Sequence, residues 1–167
     1  MFNVEILTSV MLDIEFHNGS IIQGFISFDV ENHGRNHMEL YGTNGSMIIP
    51  DPNMFGGPVI TSKKLGSEWK EHSVEDRYLG KTNITNSTVR SNEASQQANY
   101  RGVGLAEMIY AIENKLHHRC NGDLALHVLD LIESTIKSAE TGVEIKIETT
   151  CKKPLPFTED EIKIIMK

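Results

Sequence analysis

"LDIEFHNGSIIQGFISFDV", residues 12–30, holds two β-like runs with Asn18-Gly19 between them. In the first run Leu12, Ile14 and Phe16 alternate with Asp13 and Glu15, the two-residue period of a half-buried strand. An Asn-Gly pair between such runs is a strong hairpin signal, because both residue types tolerate positive φ. The return run puts Ile22, Gly24, Ile26, Phe28 and Val30 on one face. A polar break covers 29–35. A strand over 37–41 then turns at Thr43-Asn44-Gly45 into Met47-Ile48-Ile49. Short local hairpins of this kind predict an antiparallel sheet with one open face.

Downstream of these hairpins the chain changes character twice. "IIPDPNMFGGPV", residues 48–59, carries Pro50, Pro52 and Pro58 around Gly56 and Gly57. Neither a helix nor a central strand accommodates that spacing, so it is a shaped loop. Short strands are expected over 59–62 and 68–74, the second containing Trp69. Residues 79–99 are polar and nearly free of apolar side chains, long for a loop inside a compact domain. They read as a lid or as a solvated insertion. Helical spacing then sets in. Leu105, Met108, Ile109 and Ile112 define a first apolar stripe, and Leu124, Val128, Leu131, Ile132 and Thr135 a second. Asn121 is placed to cap the second helix and Gly142 to end it. A strand over 143–149 is expected next. Thr158-Glu159-Asp160-Glu161 is a capping box that opens a final short helix. The predicted fold is α+β: an open, mainly antiparallel β-sheet with helices packed on one face, in a single domain over 1–167.

The bulk composition narrows the function. The 167 residues are 39% hydrophobic and 23% charged, an ordinary globular balance, with a net charge of -7. That charge leaves no basic footprint for nucleic acid and none for anionic lipid. The first basic residue is Arg35, so the positive start of a signal peptide is missing, and no apolar run is long enough to span a bilayer. A cytoplasmic location is expected, in which the sequons at Asn18, Asn44, Asn83 and Asn86 carry no meaning. Cys120 and Cys151 fit no metal spacing and read as free thiols.

Several polar groups are candidates for chemistry, each beside a plainer reading. His33 and His37 are four apart but flank a turn, so they are either two ligands lacking a third or a polar loop pair. Asp51 and Asn53 can bond a sugar-like hydroxyl or only their own turn backbone. Arg101-Gly-Val-Gly-Leu resembles a phosphate loop without the apolar strand that should precede it. His117-His118-Arg119 can present cations to an anion or simply connect two helices. No nucleophile set stands out.

Four stretches together resemble one family. "LYGTNGSMIIPDPNMFGGPV" is similar to the aromatic-Gly-Thr-x-Gly turn and Pro-Asp-Pro-Asn-x-Phe-Gly-Gly loop in the C-terminal domain of oxidoreductases of the glucose–fructose oxidoreductase / inositol dehydrogenase / MocA family. "NYRGVGLAEMIYAI", "HRCNGDLALHVLDLIESTIKSAETG" and "TTCKKPLP" resemble its later helices and tail, in the same order, so the likeness runs from about residue 4 to 157. Asn32 stands where the family pattern has a tryptophan or similar residue, and Cys120-Asn121 where it has Ala-Ser.

The resemblance implies the substrate and assembly side of a two-domain enzyme. Its Rossmann domain binds NAD or NADP, and its substrates are sugars, cyclitols or their derivatives. The dinucleotide fingerprint, the Glu-Lys-Pro lysine and the Asp-x-x-x-His pair of that family have no counterpart here. No catalytic, cofactor or metal residue is therefore assigned. The chain is expected to begin after the chemistry and to be inactive alone. It is also expected to form a homo-oligomer through the open sheet face, or to pair with a separately encoded Rossmann domain. The substrate-side candidates are His33, His37, Asp51, Asn53, Phe55, Arg101, His118 and Arg119. In the 48–59 loop, Pro50 and Pro52 would fix one end, Gly56 and Gly57 would loosen the other, and Phe55 would be the anchor.

Overall fold

A computed structural model describes residues 6–87 and 94–167. The chain is α+β, with antiparallel sheets that stay open and three helices. It divides into two compact units, Met1–Arg35 with Val128–Glu148 and Asn36–His127 with Thr149–Lys167.

In the first unit, β1 (Ser9–Glu15) pairs with β2 (Ile21–Ser27) over the whole length of both strands. Val10, Leu12 and Ile14 are half-buried while Met11, Asp13 and Glu15 are exposed, the alternation expected of β1. Leu12 faces Gly24, and a Cβ on Gly24 would lie 2.7 Å from Leu12 Cδ2, so the leucine lies over the missing side chain. The turn is longer than an Asn-Gly two-residue loop. Phe16 N–H donates to Ser20 O at 2.9 Å, Gly19 takes φ of +80°, and Asn18 Oδ1 accepts from Ser20 N–H at 3.0 Å. Asn18 thus shapes the turn by its side chain instead of by its backbone. At the open end, Asp29 accepts from the hydroxyls of Thr8 at 2.6 Å and Ser9 at 2.7 Å. Those two bonds, Thr8 first, hold its carboxyl below the usual range.

In the second unit, β3 (Met38–Gly42), β4 (Gly45–Ile49), β5 (Val59–Ser62) and β6 (Lys70–His72) form a four-stranded meander in chain order. The strands therefore do not join into one sheet: the polar break over 29–35 separates the first hairpin from the meander. The polar segment 79–99 begins and ends as a hairpin, β7 (Ile84–Ser87) with β8 (Ala94–Gln97), and its middle lies outside the described residues. Asn83 closes the base by accepting from Asn99 N–H at 2.7 Å and donating to Asn99 O at 2.8 Å.

Helix α1 (Val103–Glu113) buries Val103, Glu107 and Ala111; of the expected stripe Met108 is half-buried, while Leu105, Ile109 and Ile112 are exposed. The cause is Glu107, whose carboxylate has a cationic partner inside. Helix α2 (Gly122–Thr141) runs from the second unit into the first. Asn121 Oδ1 caps it from Leu124 N–H at 3.0 Å, and Gly142 ends it at φ of +68°. Its sheltered face includes Leu124, Leu131 and Thr135 as expected, whereas Val128 and Ile132 are exposed. Helix α3 (Glu159–Ile165) carries the complete capping box of Thr158 and Glu161, buries Ile162 and packs on α1. The strand expected over 143–149 does not form. Ile145, Ile147 and Thr149 alternate in burial with their neighbours, but among the described strands none is paired with this stretch, and a ladder needs a partner.

Candidate functional site

Four of the eight expected site residues meet in one place, at the loop 50–57. Asp51 builds the turn itself. Its carboxylate accepts from Asn53 N–H at 2.9 Å, and its carbonyl accepts from Met54 N–H at 3.0 Å. Arg101 crosses from the start of α1 and donates from Nη2 to Asn53 Oδ1 at 2.8 Å and Asn53 O at 3.1 Å. Phe55 donates its backbone N–H to Ala98 O at 3.1 Å, and its ring stands edge-on to Tyr100 with centroids 5.9 Å apart. Tyr100 is held in turn through its hydroxyl, which donates to Lys81 O at 2.8 Å. The two glycines have distinct tasks. A Cβ on Gly56 would sit 2.8 Å from Gly80 O and 2.9 Å from Ala98 Cβ. Gly57 lies at φ of +106°, a region that L side chains rarely adopt, with Pro50 Cβ 2.8 Å from where its own Cβ would be.

The loop forms one wall of a shallow cleft of about 360 Å³, in which Met54, Phe55 and Asp51 face Val74, Arg77 and Leu79. The cleft is largely apolar, with a single carboxylate and a single guanidinium. Such a lining suits a small ligand that presents a ring face and a few hydroxyls. Arg101 is occupied as a clamp on Asn53, so in this arrangement it braces the loop.

Arg119 occupies a different centre. Its guanidinium donates to Glu161 at 2.9 Å, to Glu107 at 3.2 Å, to Leu155 O at 2.7 Å and to Pro156 O at 3.4 Å, and lies 4.0 Å over the Phe157 ring. Its backbone N–H also donates to Glu107. Burial works against the charged guanidinium, yet the bonds to Glu161 and then Glu107 hold its pKa above the ordinary value. Glu161 is lowered from 4.5 to about 2, first by the Thr158 backbone N–H and then by Arg119. Arg119 thus has its charge and donors engaged by α1, by the 155–157 segment and by α3. Sequence reasoning missed Glu107 and Phe157. An acidic residue four positions after Val103 and four before Ala111 was the available signal for Glu107.

The remaining candidates do not join either centre. His33 lies in the first unit, where its Nδ1 accepts from Arg35 N–H at 3.3 Å, and His37 lies in the second. His118 neighbours Arg119 and keeps a buried Nδ1 with no hydrogen-bond partner. Cys120 and Cys151 are free thiols. Among the described residues, no group of three or more His, Cys, Asp or Glu side chains is placed to hold a metal ion, and no helix is long and apolar enough to cross a membrane.

Three outcomes test these two centres. Arg119→Met leaves the Glu107 carboxylate, only 5% exposed, without its cation. It should cost about 3 kcal/mol in urea unfolding, and Arg119→Met with Glu107→Met should recover much of that loss. Phe55→Ala should lower stability by about 2 kcal/mol, less than a fully buried ring would cost, because the ring is half-buried. Unchanged stability together with an unchanged oligomer would remove Phe55 as the anchor. The lowered pKa of Glu161 sets a pH window. Its contribution is complete above the unfolded value of 4.5 and fades as pH falls toward about 2. Glu161→Gln should flatten the acid limb of the melting-temperature profile in that window and leave the slope above it unchanged.

Set beside family models, curated proteins and solved structures, this geometry has no match among them.

Proposed function

We propose that the chain is the substrate- and assembly-side part of an NAD(P)-dependent oxidoreductase of the glucose–fructose oxidoreductase / inositol dehydrogenase / MocA kind. It would act on a sugar, cyclitol or similar polyol, with the dinucleotide held by a Rossmann domain outside these residues. The observation that carries this reading is the uncovered apolar surface of the open sheets. On β2 alone, Ile21, Ile22, Phe25 and Ile26 are each 47–65% exposed. Both faces of β2 are involved, since neighbouring residues of a strand point to opposite sides. A two-stranded hairpin is marginal by itself in water. Surface of this kind is buried by another chain or domain. The braced loop and its shallow, largely apolar cleft of about 360 Å³ support the second part of the reading, a place for a small polyol.

The same apolar surface also favours a second reading, a non-enzymatic assembly module or a polyol-binding protein without redox chemistry. Titration with NADH and light scattering separate the two from each other and from error. Under the first reading the isolated chain gives no saturable NADH signal. Its mass in solution is a multiple of 18.7 kDa, and a dinucleotide-binding partner restores polyol oxidation. Saturable micromolar NADH binding by the chain alone would sink that reading. A monomer at high concentration would count against assembly in either form, and a polyol that raises the melting temperature would support the binding site.

A further inference from the structure

The turn of the β3–β4 hairpin and the connection from β5 to β6 border a second, open cleft of about 490 Å³, at the opposite ends of β4 and β5 from the loop 50–57 and without its residues. Its walls are fixed. The Ser62 hydroxyl donates to Lys64 O at 3.5 Å and Ser67 O at 3.3 Å, and Ser67 N–H donates to Lys64 O at 3.0 Å. Gly66 completes that turn at φ of +78°. The facing hairpin approaches so closely that a Cβ on Gly45 would collide with Ser62 O and stand 3.1 Å from Lys63 Cα.

The cleft is lined by donors. Lys63, Lys64, Thr43 and Ser46 line it together with Trp69, whose side chain is half-exposed. No carboxylate lines it, although the chain carries 23 acidic residues against 16 basic ones. Neither lysine is within ion-pair distance of an acid among the described residues. Two cations beside one flat aromatic face and two hydroxyls match an acceptor-rich ligand with an anionic end and a ring. In such a ligand the ring would stack on the indole, its oxygens would meet the hydroxyls, and the ammonium groups would hold the anion. The volume falls in the range that suits a small molecule.

We propose that this cleft binds an anionic monosaccharide, a sugar phosphate or a uronate, through Lys63, Lys64 and Trp69. The proposal does not rest on the function proposed above, since it uses neither the loop 50–57 nor the sheet faces. Trp69 is the only tryptophan, so its fluorescence reports on this cleft alone.

The experiment titrates the full chain with glucose 6-phosphate, glucuronate, glucose and inorganic phosphate, and follows Trp69 emission. The expected result is a saturable change with glucose 6-phosphate or glucuronate that weakens as sodium chloride rises. Lys63→Gln with Lys64→Gln should weaken it about tenfold or more. The melting temperature should stay nearly unchanged, because both lysines are exposed and neither forms an ion pair among the described residues. No saturable change through millimolar concentration would overturn the proposal. So would an undiminished response in the double variant, or equal affinity for neutral glucose. Binding of inorganic phosphate as tight as that of glucose 6-phosphate would overturn the saccharide assignment and leave only a simple anion site.

Discussion

The guanidinium of Arg119 connects parts of the second unit that are far apart in sequence. It ties Glu107 on α1 to Glu161 on α3 and holds two carbonyls of the segment leading into α3. Burying one carboxylate in an apolar interior is costly, and burying a guanidinium is costly too. Here each removes much of the other's penalty, and the planar fork of arginine meets four acceptor atoms at once, which an ammonium group with three donors could not. This constraint explains why α1 turns its charged residue inward and its larger apolar residues outward. It also explains why a helix of seven residues, α3, is held at all. Glu161 serves two ends, accepting from Thr158 in the capping box and from Arg119 across the unit.

The loop 50–57 depends on the same helix by its other end. Residues 98–101 lead directly into α1, and they supply the carbonyl, the aromatic ring and the guanidinium that brace the loop. The rigidity expected from Pro50 and Pro52 is therefore only half of the device. The other half is close approach, in which Gly56 lets the backbone reach Gly80 and Ala98. A cleft wall made in this way is braced by the fold itself, and under the proposed function that would lower the entropic cost of binding.

Local chemistry was legible in the sequence and tertiary choice was not. The Asn18-Gly19 turn, the Asn121 cap, the Gly142 stop and the Thr158 capping box all depend on residues within a few positions of one another, and each stands where the sequence put it. The clustering of Asp51, Asn53 and Phe55 was visible as one motif, whereas Arg101 reaches it from 48 residues away. The buried face of α1 was misread because periodicity counts apolar residues and cannot foresee that Arg119 draws Glu107 inside. The stretch 143–149 has a strand's alternation, but an extended segment becomes a strand only by pairing, and none of the described strands pairs with it. The division of the strands into separate sheets is likewise a matter of pairing, which no single strand encodes.

The first unit poses the reverse problem. Its hairpin is well specified by register and turn, yet much of the apolar surface that should stabilise it faces outward. Phe28 is 86% exposed and Met11 81%, in addition to the row on β2. Hydrogen bonds between two strands contribute little net stability in water, since the unfolded strands bond water instead. The polar clasp of Asp29 with Thr8 and Ser9 fixes register but adds little burial. A partner that covered these faces, as proposed above, would be linked to folding by mass action. Under that proposal an assembly surface and a folding requirement would be the same set of side chains. Changing Phe25 or Ile26 to a polar residue would weaken association and hairpin together, and the two effects could not be separated by varying protein concentration alone.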